Sequence, residues 1–84
     1  MAVAATTLDD KHASYSNTGS QVEISAPGGA SAANNGIYST WSKNVTCQNG
    51  KSAQNDFCSL AGTSMSAAIV TGAAALLWSV NPDQ

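Results

Sequence analysis

The chain has 84 residues, which allows one small domain at most. Only 10% of them are charged, against roughly 25% in ordinary soluble domains. The net charge of −2 excludes the basic field that nucleic-acid binding requires. Met1 leads straight into Ala2-Val3-Ala4-Ala5 with neither a basic n-region nor an adequate apolar h-region, so no secretory leader is expected here.

Val3–Leu8 is β-branched and apolar, and reads as a buried strand ending at Asp9-Asp10-Lys11. Ser16–Ser20 is a loop. Gln21–Ile24 alternates polar and apolar, as a short half-buried strand would, and Pro27-Gly28-Gly29 breaks it. Residues 30–36 continue as loop. Ile37–Trp41 is a further short strand. Residues 44–55 are polar and turn-rich, and Phe57–Ala61 can return as a partner strand, making a hairpin. Thr63–Val80 is a helix, stopped before Pro82, whose ring disfavours the helical conformation at Asn81. There are no repeats and no interdomain linker.

The helix is unusual in its lack of a polar face. No charge occurs between Asp56 and Asp83, and the polar residues of Ser66–Val80 are Ser66, Thr71 and Ser79. A helix apolar all round is buried all round, in a large core or in lipid. These residues cannot surround it, so the chain reads as a piece of a larger domain or half of an assembly. A membrane span is the weaker alternative, because Gly, Ser and Thr crowd the first half of Leu60–Val80 and no basic flank marks a cytoplasmic side.

Cys47 and Cys58 could close one loop, stabilising by roughly 3 kcal/mol for a loop of that size. Two free thiols, or partners elsewhere in a longer chain, are the alternatives. With a single histidine they do not make a zinc site. Asn44-Val45-Thr46 matches the glycosylation sequon, a pattern that arises readily by chance.

In Gly62-Thr63-Ser64-Met65-Ser66-Ala67-Ala68-Ile69-Val70-Thr71-Gly72, a small-residue turn presents a serine at a helix N-terminus. Unpaired N–H groups and the positive end of the macrodipole there can hold a developing oxyanion. The stretch resembles the nucleophile motif of the subtilisin-like serine proteases. Further blocks resemble the same family in its order. They are Ala13-Ser14-Tyr15-Ser16-Asn17-Thr18-Gly19, Val22-Glu23-Ile24-Ser25-Ala26-Pro27-Gly28, Ile37-Tyr38-Ser39-Thr40 and Asn81-Pro82. Together they cover nearly the whole chain.

The resemblance implies an α/β fold. Residues 1–84 would be the C-terminal portion of a subtilisin-like parallel-sheet peptidase domain, with short strands and one long buried apolar helix. It implies a serine endopeptidase with Ser64 as nucleophile, the backbone of Thr63, Ser64 and Met65 bordering the oxyanion hole, and Leu60 and Tyr15 lining the cleft. The competing use of Ser64 is as a helix N-cap. In the family the triad order is Asp, His, Ser. The first two, and the side-chain oxyanion donor, are expected upstream of this chain, so the isolated chain is expected to be inactive. His12, with Asp9 and Asp10 nearby, reads as a solvated loop residue and not as the base.

Ala68 departs from the family, which usually has proline there. Alanine restores a helical N–H, so a more regular first turn and a slightly displaced Ser64 hydroxyl are expected. Glu23 matches an acidic position that belongs to a weak cation site in some members. With Gln21 as its companion no metal is expected here, although calcium could bind in a full-length parent. No other cofactor is implied. Trp41 and Trp78 read as packing residues. The expected partners are a peptide or protein substrate and the remaining N-terminal half of the domain, with neither nucleic acid nor membrane. The family and the disulfide-permissive composition imply an extracellular parent. The competing function is an inactive pseudo-protease fragment or a self-associating structural piece.

Overall fold

The computed structural model describes residues 1–31, 36–42, 44–47 and 57–83. Five elements follow in order: β1 (Ala2–Thr6), β2 (Val22–Pro27), β3 (Ile37–Thr40), β4 (Phe57–Leu60) and α1 (Thr63–Val80). They form two small sheets. β1 and β2 pair in parallel, with Val3 opposite Ile24 and Ala5 opposite Ala26, and the register shifts between Ala2 and Val3. β3 and β4 pair antiparallel, with Ser39 opposite Cys58.

β1 is made of small residues because both of its sides are covered. Val3, Ala4 and Ala5 are buried. β2 occupies one edge and the 12–16 segment the other. Ala13 N–H donates to the Ala5 carbonyl at 3.0 Å, Ser16 Oγ accepts from Ala5 N–H at 2.8 Å, and Thr6 bridges His12. The strand edge is thereby closed without a third strand. The crossover between β1 and β2 contains Asp10 at φ 61°, a left-handed turn position that aspartate tolerates better than most residues. Strand β2 runs further than the alternation suggests, through Pro27. Proline's missing N–H is tolerated at the end of a strand, and Gly28 N–H then donates to the Thr6 carbonyl at 3.0 Å.

The hairpin is held by a disulfide between Cys47 and Cys58, both buried, with Cα atoms 6.1 Å apart. Tyr38 and Phe57 stack across it with ring centroids 5.3 Å apart. Trp41 Nε1 donates to the Val45 carbonyl at 2.9 Å and pins the turn after β3. Asn44 and Thr46 of the sequon are exposed. The segment between Cys47 and Phe57 lies outside the described residues.

Helix α1 keeps the expected bounds, and it runs unbroken through Ala68. Three of its polar side chains bond within the helix or at its end. Thr71 Oγ1 donates to Ala67 O at 2.9 Å, Ser79 Oγ to Leu76 O at 2.7 Å, and Trp78 Nε1 to Pro82 O at 2.9 Å. Asn81 N–H closes the C-terminus on Leu77 O at 3.0 Å.

The expectation of a buried helix is not met. Only Ser66 is buried, while Leu76 is 73% exposed and Trp78 64%. The reason is size: α1 packs on a pair of short strands, β1 and β2, which reach only its first turns. The composition describes what this helix needs, and the other described residues do not supply it.

Candidate active site

The turn before α1 is set by β2. Gly62 N–H donates to the Gly28 carbonyl at 2.9 Å, and the Ser66 hydroxyl donates to the Ala26 carbonyl at 2.9 Å. Gly62 and Ser66 flank Ser64 at equal spacing, so the serine stands between two ties to the same strand end. Ser66 is fully buried. Without the Ala26 carbonyl its hydroxyl would be an unsatisfied polar group, at a cost of about 1–3 kcal/mol.

Ser64 itself is exposed in the first turn of α1. Its Oγ makes no hydrogen bond among the described residues and is free to meet a ligand. The N-cap position is Gly62, no side chain caps the helix, and the first turn carries no acidic residue. The use of Ser64 as the N-cap is therefore not what the structure contains. Met65 N–H and Ser66 N–H both donate back to the Gly62 carbonyl, at 3.1 and 3.4 Å, so the expected Met65 donor is already used. The N–H groups of Thr63 and Ser64 and the positive dipole end remain beside the serine, an arrangement suited to stabilising an anion. Met65 is half-buried; a Cβ built on Gly62 would stand 3.5 Å from its Sδ, so Met65 folds back over the turn.

An open hollow of about 260 Å³ lies beside Ser64, lined by Met1, Ala2, Val3, Asn17, Thr63 and Ala67. Tyr15 and Leu60 do not line this hollow. The Tyr15 phenol donates to the Gly29 carbonyl at 2.5 Å, next to the Gly62 backbone. Burial raises its pKa, and the Gly62 backbone partly offsets the rise. Leu60 is half-buried at the end of β4, opposite Ile37. Both therefore stand beside the turn that carries Ser64.

His12 is not brought to the serine side of β1. It is exposed and bridges Thr6, whereas the hollow beside Ser64 is bounded by the opposite end of that strand. Ala2 and Thr6 lie roughly 13 Å apart at the usual strand rise. Asp9 instead pairs at the surface with Lys11, 3.9 Å away, and accepts from Thr7 Oγ1. Among the described residues no group of three His, Cys, Asp or Glu side chains could hold a metal ion, and Glu23 is exposed on β2.

Ser16, Gly28 and Ser66 hold the site together, and reading the sequence did not single them out. All three lie inside the blocks that resemble the family, and the residues themselves gave only indirect signals. Ser66 is one of few polar residues in an apolar helix, and Gly28 follows a proline at a strand end.

The sequence matches the Subtilase family (Peptidase_S8) over residues 1–84. It is also similar to a protein named extracellular protease from Xanthomonas campestris pv. campestris, at 40% identity over 82 residues. That alignment covers 98% of this chain and 12% of the relative's length, so the chain spans a small part of it. No solved structure matches the chain significantly. The family match extends along the whole chain, and the serine turn lies inside it; this chain belongs to the subtilase family of proteases.

Proposed function

We propose that Ser64 is the nucleophile of a subtilisin-type serine endopeptidase, and that these residues are the C-terminal part of its catalytic domain. The observation that carries this reading is an exposed, unbonded serine at an uncapped helix N-terminus, tied to β2 on both sides. In the reaction, Ser64 Oγ attacks the scissile carbonyl carbon while its proton passes to a base. The carbonyl oxygen becomes an oxyanion facing the N–H groups of Thr63 and Ser64, because Met65 N–H is taken by the Gly62 carbonyl at 3.1 Å. Collapse expels the amine, which takes the proton, and leaves an acyl-enzyme that water hydrolyses. His12 does not serve as the base, so the base and its orienting carboxylate come from chain outside these residues. The substrate is a peptide or protein, Tyr15 and Leu60 flank its cleft, and no cofactor takes part. The relative's name supports an extracellular location.

A fluorophosphonate probe tests the assignment. The full-length protein should be labelled at Ser64, and Ser64→Ala should abolish both labelling and peptide hydrolysis. The isolated 84-residue chain should label slower by several orders of magnitude, since it lacks the base. Rapid labelling of the isolated chain, or labelling of another serine in the whole protein, would refute the reading.

The exposed apolar length of α1 favours a second property, self-association of the chain when isolated. The helix is also long and apolar enough to cross a membrane. Against that use, its first turn is anchored in the sheet through Ser66, and we place neither membrane nor nucleic acid among the partners.

A further inference from the structure

We infer that Gly28 is a positioning residue for the Ser64 nucleophile, an assignment that rests on the function proposed above. Gly28 is the point where strand, turn and helix meet. Its N–H donates to Thr6 O at 3.0 Å and its carbonyl accepts from Gly62 N–H at 2.9 Å. It thus joins the end of β1 to the residue that opens the nucleophile turn. A side chain has no room there. A Cβ on Gly28 would stand 2.7 Å from Ala5 Cβ, 2.7 Å from Ser66 Oγ and 2.8 Å from Gly62 O. All three sit on parts that fix the serine: β1, the helix, and the turn.

The requirement at Gly28 is one of space. Its backbone has no left-handed φ, whereas the adjacent Gly29, at φ 87°, does need the conformational freedom of glycine. The two neighbouring glycines are therefore present for different reasons. Relieving a 2.7 Å contact to the ordinary 3.4 Å asks for a displacement of ~0.7 Å. Ala5 Cβ belongs to a buried strand flanked on both edges, so the movement falls on the turn and helix that bear Ser64. A misplacement of about 1 Å at a reacting group costs on the order of 100-fold in rate. Substrate binding through the rest of a cleft is not touched by such a shift, so the loss belongs in kcat.

The test is a mutant cycle in the full-length protein, read by peptide hydrolysis and by fluorophosphonate labelling of Ser64. Gly28→Ala should lower kcat by about 100-fold with KM within about twofold. Ser66→Ala alone should lower kcat only about threefold, the effect of one lost hydrogen bond. The double variant should be at least about fivefold faster than Gly28→Ala, because one of the three obstructing atoms is gone. Ser66→Thr presses on the same point from the helix side, and should lower kcat about tenfold even if Gly28→Ala does not fold. The inference is overturned if wild type labels at Ser64 and Gly28→Ala labels within threefold of it. It is also overturned if the double variant is no faster than the single one, or if Ser66→Thr matches wild type. Failure of wild type itself to label at Ser64 would overturn the proposed function, and this inference with it.

Discussion

Replacing the disulfide by Cys47→Ala/Cys58→Ala probes how firmly the segment leading to Ser64 is held. The two cysteines are separated by 11 positions, and Cys58 lies within β4, whose end runs through Ala61 into the Gly62 turn. Closing a loop of that size removes unfolded-state entropy worth about 3 kcal/mol at room temperature. Both half-cystines are buried, so alanine retains part of the packing and the entropic term dominates the change. Among the described residues the hairpin has no further strand beside it, so the loss should appear as local opening of β3 and β4. At about 1.4 kcal/mol per factor of ten, 3 kcal/mol corresponds to roughly 100-fold faster amide exchange. Hydrogen–deuterium exchange of the full-length protein, followed on peptides covering 37–42 and 57–60, measures this directly. Peptides covering 71–80 serve as the internal control. Acceleration of less than about threefold in the hairpin would refute the reasoning, as would equal acceleration in the helix.

Other outcomes follow from single sites. Gly29→Ala must hold a left-handed φ with a Cβ present, and should destabilise the domain by about 1–2 kcal/mol in chemical unfolding. The phenol of Tyr15 titrates above its ordinary value in the folded state, so the folded protein holds its proton at a pH where the unfolded chain has released it. Its contribution is therefore present below about pH 10 and lost as pH rises further, and Tyr15→Phe should flatten the alkaline limb of the stability–pH profile. In the isolated chain, Leu76→Lys/Trp78→Lys should shift sedimentation from oligomer toward monomer, since both side chains are mostly exposed on α1. An unchanged distribution would remove that helix face as the contact.

The helix and the hairpin were legible because their signals are local. The small-residue turn before Thr63 and the proline after Asn81 bound the helix whatever surrounds it. Paired runs of strand formers on either side of a polar segment mark the hairpin. The ties that aim the nucleophile were not legible, because they join residues far apart in sequence through groups every residue carries. Ser66 bonds a backbone carbonyl 40 positions away, and no side chain at Ala26 advertises it. The closure of β1 by Ala13 and Ser16 is hidden in the same way. Helix exposure was misjudged for another reason. Amphipathicity, or its absence, reports the surroundings that a segment is suited to, and the other described residues fall short of providing them.

Among the described residues, helix α1 is anchored at one end only. Its hold on the sheet is concentrated around Ser66, and everything from Thr71 onward stands clear. An 18-residue helix is about 27 Å long, so a rigid tilt of ~5° about Ser66 moves the Val80 end by about 2 Å. The same tilt moves Ser64, within one turn of the pivot, by only about 0.3 Å. The geometry is that of a cantilever whose reactive group sits beside the clamp. Whatever packs along the free length can therefore vary in size or shift in place while the serine hardly moves. Sequence change along the outer helix is mechanically insulated from the chemistry at its root.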